Sequence, residues 1–84
     1  MPYTYILYSE KFDRYYVGST ESVELRLLRH NNKMVKSTKS YAPWVVVYTE
    51  SFPSRSEAVV RENEIKKMKS RKYIEGLIKN NAAK

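Results

Sequence analysis

Three polar residues stand where helical spacing asks for apolar side chains, and their chemistry is that of a phosphate or hard-cation site. Arg26 and His30 lie four apart, so on a helix they share one face. That face borders Val23 and Leu27, at the edge of the apolar stripe. Singly, each has a plain structural explanation: an arginine at such a border snorkels to water, and a lone histidine packs. Glu62 is the sharper anomaly. Ala58, Glu62, Ile65 and Lys69 follow the 3.6-residue period, which turns the carboxylate toward or beside a sheet. A carboxylate there needs a cation, hydrogen-bond donors or a metal. Arg61, Lys66 and Arg26 are the cations at hand. Mg²⁺ is the other partner, since it is typically held by only one or two carboxylates with waters and phosphate. Glu57 and Glu64 read as a helix cap and a solvated face.

The surrounding charge favours phosphate. The 84 residues carry sixteen Lys and Arg against nine Asp and Glu, a formal charge of +7. No acid falls between Glu24 and Glu50, where Arg26, Arg29, Lys33, Lys36 and Lys39 stand. That basic stretch flanks Arg26 and His30 and reads as a phosphate-binding groove. Asn, Ser and Thr between the lysines add neutral donors. Eight tyrosines against two phenylalanines and one tryptophan suggest aromatic work at a polar surface, although half-buried strands explain many of them equally well. Competing chemistries drop out. Without cysteine there is no disulfide framework, thiolate metal site or cysteine nucleophile. One histidine leaves no zinc site or Ser-His-Asp triad, and no Gly-rich phosphate loop is present. No apolar run nears the roughly 18 residues of a membrane span, and no signal-peptide pattern opens the chain. The expectation is a single domain over residues 1–84, in a reducing cytoplasm and with no membrane partner.

The elements that must position these residues follow from local pattern. Tyr3 to Tyr8 is aromatic and β-branched and predicts a strand. Ser9 to Arg14 is turn-like, and Tyr15-Tyr16-Val17-Gly18 makes a second strand, antiparallel to the first. Gly18 inside a strand marks a close approach, with room for a ligand. Ser19-Thr20 offers the N-cap of a helix that carries Val23, Leu25, Leu27 and Leu28 and stops at Asn31-Asn32. Residues 33–43 read as a loop, and Trp44 to Tyr48 as the third strand. Ser54-Arg55-Ser56-Glu57 fits a capping box opening a helix to about Lys69. Ser70 caps a last helix carrying Tyr73, Ile74, Leu77 and Ile78, and residues 80–84 are expected to fray. Trp44, Val46 and Ile6 are the expected central core. The order ββαβαα predicts an α+β fold, a three-stranded, mainly antiparallel sheet with flanking helices.

Taken together, these residues resemble a known family. Tyr3-Thr4-Tyr5, Tyr16-Val17-Gly18, Arg26, His30 and a helical Glu62, in that order, are similar to the GIY-YIG nuclease domain. The resemblance runs from Tyr3 to about Ile78. It is closest to the small standalone bacterial branch, where a Lys-Ser-Thr-Lys loop precedes a Pro-Trp strand, as Lys36 to Lys39 and Pro43-Trp44 do here. The Ser-Arg-Ser-Glu-Ala segment and the Arg61-Glu62 pair also look like that branch. Tyr3 and Thr4 replace the glycine and isoleucine of the first tripeptide, and Val17 the isoleucine of the second.

The resemblance implies phosphodiester hydrolysis with one divalent ion, Mg²⁺ or Mn²⁺, held by Glu62. It implies that Arg26 neutralises charge growing on the phosphate and that Tyr16 takes a proton from the attacking water. A phenol is a poor base at neutral pH unless cations favour the phenolate; Arg26 and the metal would supply them. Tyr5 and His30 would position water or phosphate. Tyr15 alternates to the other sheet face and is expected outside the site. DNA is the expected substrate, with RNA the other candidate, and a protein partner or homodimer would assist targeting. Two other readings compete: a nucleic-acid-binding module that keeps the fold but cuts poorly, and a basic structural protein. The latter explains the charge but not Glu62 on the inner stripe.

Overall fold

Aromatic and β-branched residues carry β1 (Tyr3–Ser9), and a polar turn folds the chain back into β2 (Arg14–Thr20). The computed structural model describes residues 1–82. After β2 come α1 (Val23–Asn31), a single 3-10 turn (Lys39–Tyr41), β3 (Val45–Ser51), α2 (Arg55–Met68) and α3 (Arg71–Ala82). The sheet has the order β2-β1-β3, with both pairings antiparallel. The order ββαβαα and the three-stranded antiparallel sheet are those the sequence predicts.

β1 is central, so its four residues Thr4 to Leu7 are buried on both faces. Alternation along the strand sends Tyr5 and Leu7 to one face, where they meet Trp44 and the α1 residues Val23 and Leu27. It sends Ile6 to the other, where it meets Val17, Tyr48 and Ile65, with Tyr73, Ile74 and Leu77 of α3 packed around them. The register between β1 and β3 skips Val47, a bulge that leaves Val47 and Tyr48 both against the second cluster. Two polar ties hold the layers. The buried Thr4 hydroxyl donates to the Ala58 carbonyl at 2.7 Å, fixing α2 on the sheet. Asn31 at the end of α1 accepts from the Trp44 amide at 2.6 Å and donates to the Trp44 carbonyl at 3.0 Å. No helix among the described residues is long and apolar enough to cross a membrane.

Several local expectations shift. The N-cap of α1 is Ser22, whose hydroxyl accepts from the Leu25 amide. Ser19 and Thr20 stay in β2 because pairing with β1 continues to Tyr3↔Thr20. Trp44 precedes β3 rather than opening it. Ile6 and Trp44 are buried as expected, but Val46 is only partly buried at its edge of the Trp44 cluster. The space at Gly18 is filled from within: a Cβ there would stand 2.5 Å from the Tyr5 hydroxyl oxygen, so no ligand fits. Asn80 and Asn81, expected to fray, belong to α3, which runs to Ala82. Residues 83 and 84 of that expected tail lie outside the described residues. Ser54 caps α2 as read, accepting from the Glu57 amide at 3.3 Å, but the Glu57 carboxylate accepts from the Ser54 hydroxyl at 2.9 Å rather than from its amide, so the box is only half formed.

Ile65 is fully buried between α2 and the sheet, whereas Val60 on the same helix is exposed. Ile65→Ala is expected to cost about 2–5 kcal/mol, and Val60→Ala to stay within about 0.5 kcal/mol of wild type. Denaturant melts of the two variants check this; equal losses would contradict the layer assignment.

Candidate active site

The free edge of β2 is where side chains from both sides of the sheet meet. Tyr5 faces Gly18 across the β1–β2 register, and its ring crosses β2 in the space that glycine leaves. Its hydroxyl lies 3.1 Å from His30 Nε2. His30 Nδ1 lies 2.7 Å from the Thr38 hydroxyl, and Thr38 in turn donates to the Val35 carbonyl at 3.4 Å. That direction makes Thr38 the acceptor of an Nδ1–H and Tyr5 the donor to Nε2, a tautomer assigned from the network. Tyr5, His30 and Thr38 are each 1 % exposed or less. Burial raises the Tyr5 pKa, so the hydroxyl stays protonated and able to donate. Burial, and then the charge of Arg26, push His30 down to about 4.

Arg26, from the first turns of α1, approaches the Tyr5 hydroxyl closely. That contact chiefly raises its own pKa, and the charges of Tyr16 and Glu62 add to it. Its Nε is buried yet makes no hydrogen bond of good geometry among the described residues. Tyr16 is half-buried. Its ring centroid lies 4.9 Å from that of His30, 6.5 Å from Tyr5 and 6.3 Å from Trp44. Lys66 Nζ stands 5.9 Å from the same ring.

Glu62 arrives from the opposite layer. Four residues after Ala58, it reaches the β2 edge on the helix face that Thr4 fixes. Its carboxylate accepts from the Ser19 hydroxyl at 2.7 Å and from Lys66 Nζ at 2.5 Å. Of the three cations expected to compete for Glu62, Lys66 is the partner; Arg61 is held by Glu50 and Glu64. Tyr5, Tyr16, Arg26 and His30 thus share the α1 side of β2, and Glu62 joins them around its edge. A second acid, Glu21, lines the cleft of Arg26, and among the described residues no three His, Asp or Glu side chains converge.

The basic residues divide. Arg29 lines an open cleft of about 350 Å³ with Arg26, Arg55, Ser19 and Ser22. Lys33, Lys36 and Lys39 are exposed beyond α1, and none of them lines that cleft. Thr38 among them, expected to offer a donor to phosphate, is buried against His30 instead. Tyr15 points away from the site, to Tyr8 at 4.9 Å between rings and to Glu75. Ser19 and Arg55 were not legible as site residues. For Ser19 the signal is strand alternation, which puts it on the face of Val17 rather than at a cap. For Arg55 no local signal exists, because only α2 packing against β2 brings it to Arg26.

The depressed His30 pKa has a consequence for stability. The fold holds the ring neutral, so its contribution is fully present above the ordinary histidine pKa of 6.5 and is lost as pH falls toward 4. Linkage gives a loss of about 3 kcal/mol across that window. Thermal melts from neutral pH downward, with His30→Gln for comparison, are expected to show a steeper acid loss in wild type. NMR of the imidazole should find it neutral at pH 5.5; titration near 6.5 would contradict the buried network.

Comparison with known proteins agrees with this architecture. A family model described as "GIY-YIG catalytic domain" matches residues 1–74. A UPF0213 protein of Staphylococcus haemolyticus is 48 % identical over 65 residues, covering 76 % of this chain and 78 % of its own. One from Halobacterium salinarum is 42 % identical over 55 residues, or 64 % of this chain and 71 % of its own. A UPF0213 protein of Bacillus halodurans, solved by solution NMR, superposes with a TM-score of 0.58 at 36 % identity, over 94 % of this chain and 84 % of its own. A family match that runs unbroken from Met1 through both sheet faces and into α3 leaves only residues 75–84 outside it, and on that breadth the chain belongs to the GIY-YIG family of nuclease domains, alongside the UPF0213 proteins.

Proposed function

We propose that this protein is a divalent-metal-dependent endonuclease that hydrolyses DNA phosphodiester bonds at the β2 edge. The observation that carries this reading is Arg26: a half-buried guanidinium beside Tyr5, Tyr16 and Glu62 that lines an open cleft with Arg29 and Arg55. A guanidinium held in place in this way is a preorganised cation, and it stabilises most strongly when a phosphate gains charge. Arg29 and Arg55 in the same cleft would hold neighbouring phosphates, and Lys33, Lys36 and Lys39 those further along.

Glu62 fits a hard cation. Its carboxylate is an oxygen donor, and one carboxylate is a typical protein share for Mg²⁺ or Mn²⁺. Lys66 is the group an ion would displace from it. When bound, the ion would neutralise the scissile phosphate and the leaving oxygen. The chain's own residues do the rest. Tyr16 takes the proton of the attacking water as the water oxygen bonds to phosphorus and the bond to the leaving oxygen breaks. Lys66 Nζ stands 5.9 Å from the Tyr16 ring. Tyr5 and His30, buried and bonded to each other, are positioning residues: they fix the places of Arg26 and of the Tyr16 ring. A second reading has one observation in its favour. The 2.5 Å contact of Lys66 with Glu62 suits a nucleic-acid-binding module in which the carboxylate is committed to an ion pair.

Variants separate the two. Arg26→Ala is expected to lower turnover about 10²–10³-fold, with less effect on binding, because its charge matters most in the transition state. Tyr16→Phe removes only the hydroxyl and should cost about 10²–10⁴-fold. Glu62→Ala should abolish metal-dependent cleavage and remain folded. Double variants should be little worse than the worst single. The assay is cleavage of single-stranded, duplex, flapped and branched DNA, with RNA for comparison, in Mg²⁺ or Mn²⁺. Full activity of Glu62→Ala or in EDTA would overturn the mechanism. Intact binding without cleavage of any substrate would favour the binding module.

A further inference from the structure

A second basic cleft opens on the far side of Tyr16. It has a volume of about 490 Å³ and lies between β2 and the junction of α2 with α3. Tyr16 and Lys66, both part of the candidate active site, line it together with Arg14 and Lys69. The two clefts occupy opposite ends of one strand. Tyr15 to Val17 border this one, and Ser19 and Thr20 border the one with Arg26, Arg29 and Arg55. β2 is an edge strand, so its outward N–H groups are free to donate. Its seven residues span about 20 Å at roughly 3.3 Å each, far more than one phosphate needs.

The cations of this cleft are of two kinds. Arg71 is already engaged by Asp13 and Glu75, and Tyr8 also donates to Asp13. Arg14 and Lys69 have no carboxylate partner among the described residues. Arg14 stacks 4.4 Å from the Tyr41 ring, which steadies it without neutralising it. Lys69 is held at a left-handed turn, φ 48°, by the bond of its amide to the Lys66 carbonyl. Two unneutralised cations on steadied backbone suit a polyanion passing by.

We infer that one nucleic-acid strand crosses the site along the free edge of β2, with Arg14 and Lys69 binding its phosphates on the side of Tyr16 opposite Arg26, Arg29 and Arg55. This rests on the phosphodiesterase reading and sharpens it. Phosphates on one side of the bond to be cut lie with Arg14 and Lys69, and those on the other side with Arg26, Arg29 and Arg55.

The test is binding of a labelled single strand in EDTA, across salt, followed by anisotropy. Each phosphate contact on a single strand contributes about −0.7 to the slope of log affinity against log salt. The double variant Arg14→Gln, Lys69→Gly is therefore expected to flatten the slope by about 1.4. Glycine suits the left-handed position, so the fold is kept. In wild type, amide NMR on adding the strand should shift Lys69 and Tyr15 as well as Ser19 and Arg26. DNA and RNA strands of one sequence distinguish the source of the backbone, and either one filling both clefts supports the track. Wild-type binding with an unchanged slope in the variant and no shift at Lys69 would overturn this cleft and leave the nuclease reading standing. Wild type that binds no strand at all would overturn both.

Discussion

The ring of Tyr5 lies across β2 because the residue opposite it is a glycine. With any Cβ at Gly18, the hydroxyl oxygen would be 2.5 Å from carbon, and the tyrosine ring would have to shift. From that seat the hydroxyl reaches His30 Nε2, and His30 reaches Thr38. The Thr38 carbonyl also accepts from Trp44 Nε1 at 3.1 Å. A single chain of buried polar contacts therefore joins the central strand, the end of α1 and the segment leading into β3. Such a chain is rigid when every member is satisfied and costly when one is removed. Arg26 and Tyr16 are held against it, so their placement depends on a contact that is itself buried.

The other half of the site depends on a different layer. Glu62 belongs to α2, which covers the face of the sheet opposite α1, and it reaches Arg26 and Tyr16 only around the edge of β2. The Thr4–Ala58 hydrogen bond sets the height of α2 on the sheet, and Ser19 holds the carboxylate at that edge. The edge position leaves these side chains beside an open cleft while their supports stay in the core. It also places opposite charges from two layers within mutual influence, since Glu62 and Arg26 each alter the field at Tyr5. Arg26 contacts the Tyr5 hydroxyl, while its buried Nε makes no hydrogen bond among the described residues, a local desolvation cost.

Much of this was legible because it is periodic or local. The aromatic and β-branched run from Tyr3 to Tyr8, the capping residues at Ser54 and the helical spacing of Ala58, Glu62 and Ile65 gave the elements and singled out the carboxylate. The family resemblance supplied Tyr5, Tyr16, Arg26 and His30 as one group. What escaped was set by partners distant in sequence. Ser19 and Thr20 look like a cap, but β1 pairing keeps them in the strand. Ser22 takes the cap instead. Thr38 looks like a solvated loop residue, yet His30 needs an acceptor for its second nitrogen and draws it into the core. Gly18 looks like space for a ligand, yet Tyr5 fills it. Arg55 carries no local sign of a role, and only the approach of α2 to β2 brings it into the cleft with Arg26.

The central claim is that Glu62, though ion-paired, is the carboxylate of a metal-dependent phosphodiesterase site. Titration of Mg²⁺ into wild type and Glu62→Gln, followed by amide NMR, tests it without any substrate. The account predicts saturable shifts centred on Ser19, Glu62 and Lys66 in wild type and their loss in the variant. The same shifts in both proteins, or none in wild type, would contradict it.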